Sequence, residues 1–87
     1  MTSADAFVAI ADPSRRHLLE ELRKGPKTVN QLSMGLPVSR PAVSQHLKVL
    51  LDAGLVSVRA EGTRRIYALC GPGFLALNIW LDQFWEA

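Results

Sequence analysis

The sequence predicts a mainly α domain with one small β-hairpin, and three observations in the 87-residue chain carry that reading. The stretch Ser39 to Gly54, SRPAVSQHLKVLLDAG, has a start signal, a two-faced middle and a stop. A short helical segment before it, from Val29 to about Gly35, joins it through the tight link Leu36-Pro37-Val38, which makes a helix-turn-helix pattern. After Gly54 the hydrophobic period changes from helical to alternating, the signature of strands.

The chain is organised around the Ser39–Gly54 helix. Ser39 suits the N-cap, because its hydroxyl accepts from the unpaired backbone N–H groups of the first turn. Pro41 falls in that turn, where a missing N–H costs little. Gly54 stands where a helix commonly ends in a left-handed residue. Val43, Leu47, Leu50 and Leu51 form one apolar stripe at helical spacing. The other face carries Arg40, Ser44, Gln45 and Lys48, with no acid until Asp52. Donors, amides and positive charge on the outer face of a short helix are what the major groove of DNA accepts.

The remaining elements follow in order. Residues 4–11 read as a short helix with Phe7, Val8 and Ala11 as its apolar side, ended by Asp12-Pro13. Asp12 caps and Pro13 opens a second helix to about Lys24, with Leu18, Leu19 and Leu22 inward, and Gly25-Pro26 stops it. Thr28 caps the third helix, whose Val29 and Leu32 point inward. In Leu55–Arg59, Val56 and Val58 face one way and Ser57 and Arg59 the other. Glu61-Gly62-Thr63 is a turn and Arg64–Leu69 a return strand, which completes a two-stranded hairpin. Gly71-Pro72-Gly73 breaks the chain before a fifth helix from Phe74. Nine of its twelve residues to Trp85 are apolar, and it holds four of the chain's six aromatics. That is wider than the stripe one small core needs, so the excess should lie against another chain.

Composition bounds the class. The length fits one domain, and 48% hydrophobic with 21% charged residues argues against disorder. No apolar run reaches membrane-spanning length, and the start MTSADAF lacks the basic opening of a secretory signal. Cys70 is the single cysteine, so a disulfide framework is excluded and a cytoplasmic location is expected. The net charge of +2 hides an asymmetry. Residues 13–65 hold all ten Lys and Arg against Glu20, Glu21, Asp52 and Glu61, a net of +6. The flanks hold Asp5, Asp12, Asp82 and Glu86 and no base, a net of −4. A basic middle points to a polyanionic partner.

A helix-turn-helix followed at once by a basic hairpin is the order of a winged helix, with the helix suited to the major groove and the hairpin to flanking backbone. Residues 12–69 resemble the winged-helix core of the ArsR family of bacterial transcription regulators. The stretches DPSRRHLLEELRKGPKTVNQL, SRPAVSQHLKVLLDAGLV and RAEGTRRIYAL carry that resemblance. It implies a homodimeric repressor on double-stranded DNA, with residues 1–11 and 71–87 as dimerisation helices around the 12–69 core. It places Ser39, Arg40, Pro41, Ser44, Gln45, His46 and Lys48 on the DNA-reading helix, and Arg59, Gly62, Thr63, Arg64 and Arg65 on the wing. The expected dimer interface is Phe7, Phe74, Leu77, Trp80, Leu81, Phe84 and Trp85.

Metal-sensing relatives often carry a Cys-x-Cys pair near the third helix. Those positions are Thr28 and Asn30 here, and the last helix offers only Asp82 and Glu86. Borderline metals want clustered sulfur or imidazole ligands, so the chain resembles the metal-independent branch, with no cofactor expected. His46 is open to a DNA contact or to helix packing, and His17 to a structural or solvated role. A redox role for Cys70 has no resolving cysteine nearby in the chain. Neither a nucleophile elbow nor a Gly-rich phosphate loop is present, so no enzyme is expected. The rival reading is a winged-helix interaction module for protein or RNA, against which stand the basic faces of 40–48 and of the hairpin.

Overall fold

A computed structural model describes residues 5–85, in which five helices surround a small sheet. Helix α1 (Ala6–Ala9) is capped by Asp5 and packs on the last helix. Helix α2 (Pro13–Leu22) starts at the Asp12 cap, with its proline in the first turn as expected. It ends two residues before Lys24. Strand β1 (Lys27–Thr28) leads into α3 (Val29–Ser33), and α4 (Arg40–Asp52) runs from the Ser39 cap to Ala53. Gly54 then takes a φ of 79°, the left-handed stop read from sequence. Strands β2 (Val56–Glu61) and β3 (Arg64–Leu69) form the hairpin, and α5 (Gly71–Trp85) closes the described chain.

One core joins these pieces. Leu18, Leu19 and Leu22 of α2, Leu32 of α3 and Val43, Leu47 and Leu50 of α4 meet Leu55, Val56 and Leu77. Three assignments change on packing. On α1 the buried residue is Ala9, while Phe7, Val8 and Ala11 stay exposed, because so short a helix turns only one small side chain under α5 and α4. Leu51 sits at the edge of the apolar stripe and is 37% exposed. Leu77, expected at an interface, is buried within its own chain.

Two elements depart from the sequence reading. The sheet has three strands in the order β1-β3-β2, because Lys27 and Thr28 pair with Tyr67 and Ile66. A two-residue strand has no periodicity of its own to announce it. Helix α5 begins at Gly71, three residues before Phe74, so Gly71-Pro72-Gly73 belongs to the helix instead of interrupting the chain. A proline in the first turn costs no hydrogen bond. Gly73 is there for a different reason: a Cβ on it would drive into the backbone carbonyl of Gly54. The start of α5 thus lies directly on the turn that ends α4.

Candidate nucleic-acid interface

The reading face of α4 is set by its two ends and its buried stripe. Ser39 Oγ accepts from Ala42 N at 3.2 Å, which fixes the first turn. With Val43, Leu47 and Leu50 held in the core, the helical period leaves Arg40, Pro41, Ser44, Gln45 and Lys48 exposed together with Ser39. Lys48 Nζ donates to Asp52 Oδ2 at 3.4 Å, an i,i+4 pair in solvent. Among the described residues, Arg40 and Arg65 have no carboxylate partner.

His46 does not share that face. It is half-buried against α2, with Nδ1 3.4 Å from Arg15 Nη1 and Nε2 4.0 Å from Asp12 Oδ2. Packing, one of the two roles open in sequence, is what its contacts describe. The Asp12 carboxyl is held below its ordinary value chiefly by the hydrogen bond from the Arg15 amide, with the charges of His46 and Arg15 adding to it.

The hairpin turn is two residues long, closed by the Glu61–Arg64 pair. Gly62 has a φ of 65°, the conformation that two-residue hairpin loops require of their first residue. Arg59, Gly62, Thr63, Arg64 and Arg65 are all exposed. Glu61 lies 3.6 Å from Arg59 and 3.9 Å from Arg64, loose surface pairs that a competing phosphate can displace.

Helix and hairpin meet across an open cleft lined by Arg40 of α4, by Thr63, Arg64 and Arg65 of the hairpin, and by Thr28, Val29, Asn30 and Gln31. The part that residues 28–31 take in it is not legible in the sequence. Thr28 and Gln31 form a capping box, in which Gln31 N donates to Thr28 Oγ1 at 3.2 Å and Thr28 N to Gln31 Oε1 at 2.8 Å. The T-x-x-Q spacing is a legible signal for that box. Its place beside the wing depends on the β1–β3 pairing, which joins segments far apart in the chain.

The residues proposed for a dimer interface divide in two. Phe7 stacks edge-on against Trp80 at 4.9 Å, and Trp80 against Phe84 at 4.6 Å, so aromatics link α1 to α5. Trp80, Leu81, Phe84 and Trp85 remain exposed, Trp85 by 71%. Phe74 is half-buried and, with the buried Leu77, packs α5 against the core.

The donors at the positions of the Cys-x-Cys pair do not fit a thiophilic metal. The Thr28 hydroxyl is taken up by the α3 cap, and Asn30 offers an amide. On α5, Asp82 Oδ2 accepts from Asn78, 3.5 Å away. Among the described residues, no group of three or more His, Cys, Asp or Glu side chains is arranged to hold a metal ion.

A capped reading helix in a helix-turn-helix, a hairpin sewn beside it and a basic cleft between them define a winged helix-turn-helix transcriptional regulator. Residues 12–58 match the profile of the bacterial regulatory proteins of the arsR family. The chain is 55% identical over 80 residues to the HTH-type transcriptional regulator Rv2034 of Mycobacterium tuberculosis, across 92% of this chain and 75% of that protein. The crystal structure of a possible transcriptional regulator for arsenical resistance superposes with a TM-score of 0.83 at 45% identity, covering 88% of this chain and 80% of the other. A homodimeric winged helix-turn-helix DNA-binding domain of Mb0332 from Mycobacterium bovis, solved by NMR, gives 0.71 at 27% identity over 90% of this chain and 72% of the other. The chain belongs to the ArsR family.

Proposed function

We propose that this regulator binds a pseudo-palindromic DNA operator as a homodimer in the cytoplasm and represses transcription by occupying it. The observation that carries this reading is the acid-poor exposed face of α4, joined across one cleft to the Arg64–Arg65 wing. Arg40 and Gln45 are assigned to base edges. Arg40 is in the first turn, the part of a recognition helix that usually reaches bases. Arginine can hold guanine O6 and N7 with two hydrogen bonds, and glutamine can hold adenine N6 and N7. Lys48, two turns further along, is assigned to phosphate, as are Arg64 and Arg65, which supply affinity without sequence choice. The exposed aromatics of α1 and α5 support a two-fold interface, and the homodimeric Mycobacterium bovis domain agrees with it. Metal ions are not its effectors on this reading, since the donors at the Cys-x-Cys positions are oxygen and amide.

Selection on random duplex oligonucleotides tests it. The wild type should return an inverted repeat whose half-sites lie about one helical turn, ~34 Å, or a multiple of it apart. Gln45→Ala should flatten one symmetric pair of positions and Arg40→Ala another, each base contact being worth roughly 1–3 kcal/mol. An identical motif from all three proteins would remove α4 from the reading role. Binding of single-stranded RNA or a protein in preference to duplex DNA would favour an interaction module instead.

A further inference from the structure

Arg15 makes contacts that DNA reading as described above does not use. It sits in the first turn of α2, yet its side chain leaves that helix in three directions. Its Nε donates to the carbonyl of Ala9 at 2.7 Å and its Nη2 to that of Val8 at 3.2 Å, both at the C-terminal end of α1. Its Nη1 lies 3.4 Å from His46 Nδ1, in the middle of α4. A guanidinium only donates, so Nδ1 is the one of these two atoms that can accept, and Nε2 faces Asp12 at 4.0 Å. Asp12 in turn accepts the Arg15 amide at 3.0 Å. Arg16 beside it holds the next two carbonyls of the chain, Ile10 and Ala11. A four-residue helix does not stand by itself, so α1 takes its orientation from these arginines together with its contact on α5.

We propose that Arg15 is a positioning residue for DNA reading: one guanidinium fixes α1, at the proposed dimer interface, relative to α4, and thereby selects the half-site spacing the dimer accepts. The inference rests on the homodimeric reading above. In a two-fold dimer the separation and tilt of the two recognition helices follow from how each hangs on its own interface helices. A change of one base pair in the spacer moves a half-site by roughly 3.4 Å and turns it by about 36°. A stiff joint rejects that change and a loose one follows it. Lysine keeps the charge but cannot do the same work, because a single ammonium on a flexible stem has no planar fork to hold carbonyls and imidazole at once.

The test uses the full chain and the operator recovered by selection, at native spacing and with one base pair added or removed, beside random duplex. The wild type should weaken roughly tenfold or more on the altered spacers, a penalty comparable to a mismatched base pair. Arg15→Lys should shrink that penalty to about threefold, or some 0.7 kcal/mol at 1.4 kcal/mol per decade, with random-duplex affinity and the sedimenting dimer unchanged. Arg15→Lys retaining the wild-type ratio, or losing all duplexes by one common factor, overturns the proposal. If Arg15→Lys does not melt cooperatively, the imidazole side of the joint decides. His46→Asn, which returns an acceptor near the place of Nδ1, should keep the spacing preference, and His46→Leu should lose it. A His46→Leu protein as selective as the wild type overturns the proposal. Wild type that sediments as a monomer on its operator sinks the homodimeric reading and this inference together, before any variant is made.

Discussion

At Asp12 one carboxylate closes the start of α2 and faces the recognition helix. Its hydrogen bond to the Arg15 amide is made by the charged form, which lowers its pKa from the ordinary 3.8. A depressed folded value means that Asp12 stabilises the fold fully above the unfolded pKa and loses that contribution as pH falls through the folded one. Asp12→Asn keeps a capping oxygen and removes the charge. Urea unfolding should show the variant less stable than wild type near neutrality, with the gap closing as pH falls below 3.8. A gap constant across that range would remove the charge from the account. The same residues show how local a sequence reading is. Periodicity put Arg40, Ser44, Gln45 and Lys48 outside and Val43, Leu47 and Leu50 inside, and packing agrees. His46 lies at the border of the two faces, and only the approach of α2 decides its side.

Among the elements, the helices were legible because caps and stops are written in a few adjacent residues: Asp12-Pro13, Thr28, Ser39 with Pro41, and Gly54. The hairpin was legible from its alternation and from Gly62. What was not legible depends on contacts between distant segments. Strand β1 exists because β3 offers it an edge, and the glycine at 73 exists because α5 lands on Gly54. The lining of the cleft by Thr28, Asn30 and Gln31 is not legible for the same reason. Gly73→Ala should therefore destabilise the domain by about 1–3 kcal/mol, as overfilling a packed contact does, although alanine is the better helix former. Thermal melting distinguishes the two effects by sign. An unchanged or higher melting temperature would show that α5 can lift from the turn.

For the whole molecule, the surplus of α5 is the feature that one chain cannot satisfy. Leu75, Ile79, Trp80, Phe84 and Trp85 stay exposed in a domain of this size, next to Phe7 and Val8 of α1. Aromatics buried at an interface carry much of its energy, so Trp80→Ala with Phe84→Ala should give a monomer or an unfolded chain. Sedimentation of the wild type at micromolar concentration should give the dimer, and a wild-type monomer there would contradict the interface.

The seam between β1 and β3 has a consequence in time. The helix-turn-helix and the hairpin are each assembled from neighbours in the chain, but the seam pairs Lys27 with Tyr67, roughly forty residues away. Contacts that distant form slowly, since a long loop must close before they gain anything. A refolding molecule can thus own a complete recognition helix and a complete wing while the two are not yet one surface. Helical circular dichroism should return first and operator binding later. Between those two moments the protein has its shape in parts and no grip on DNA.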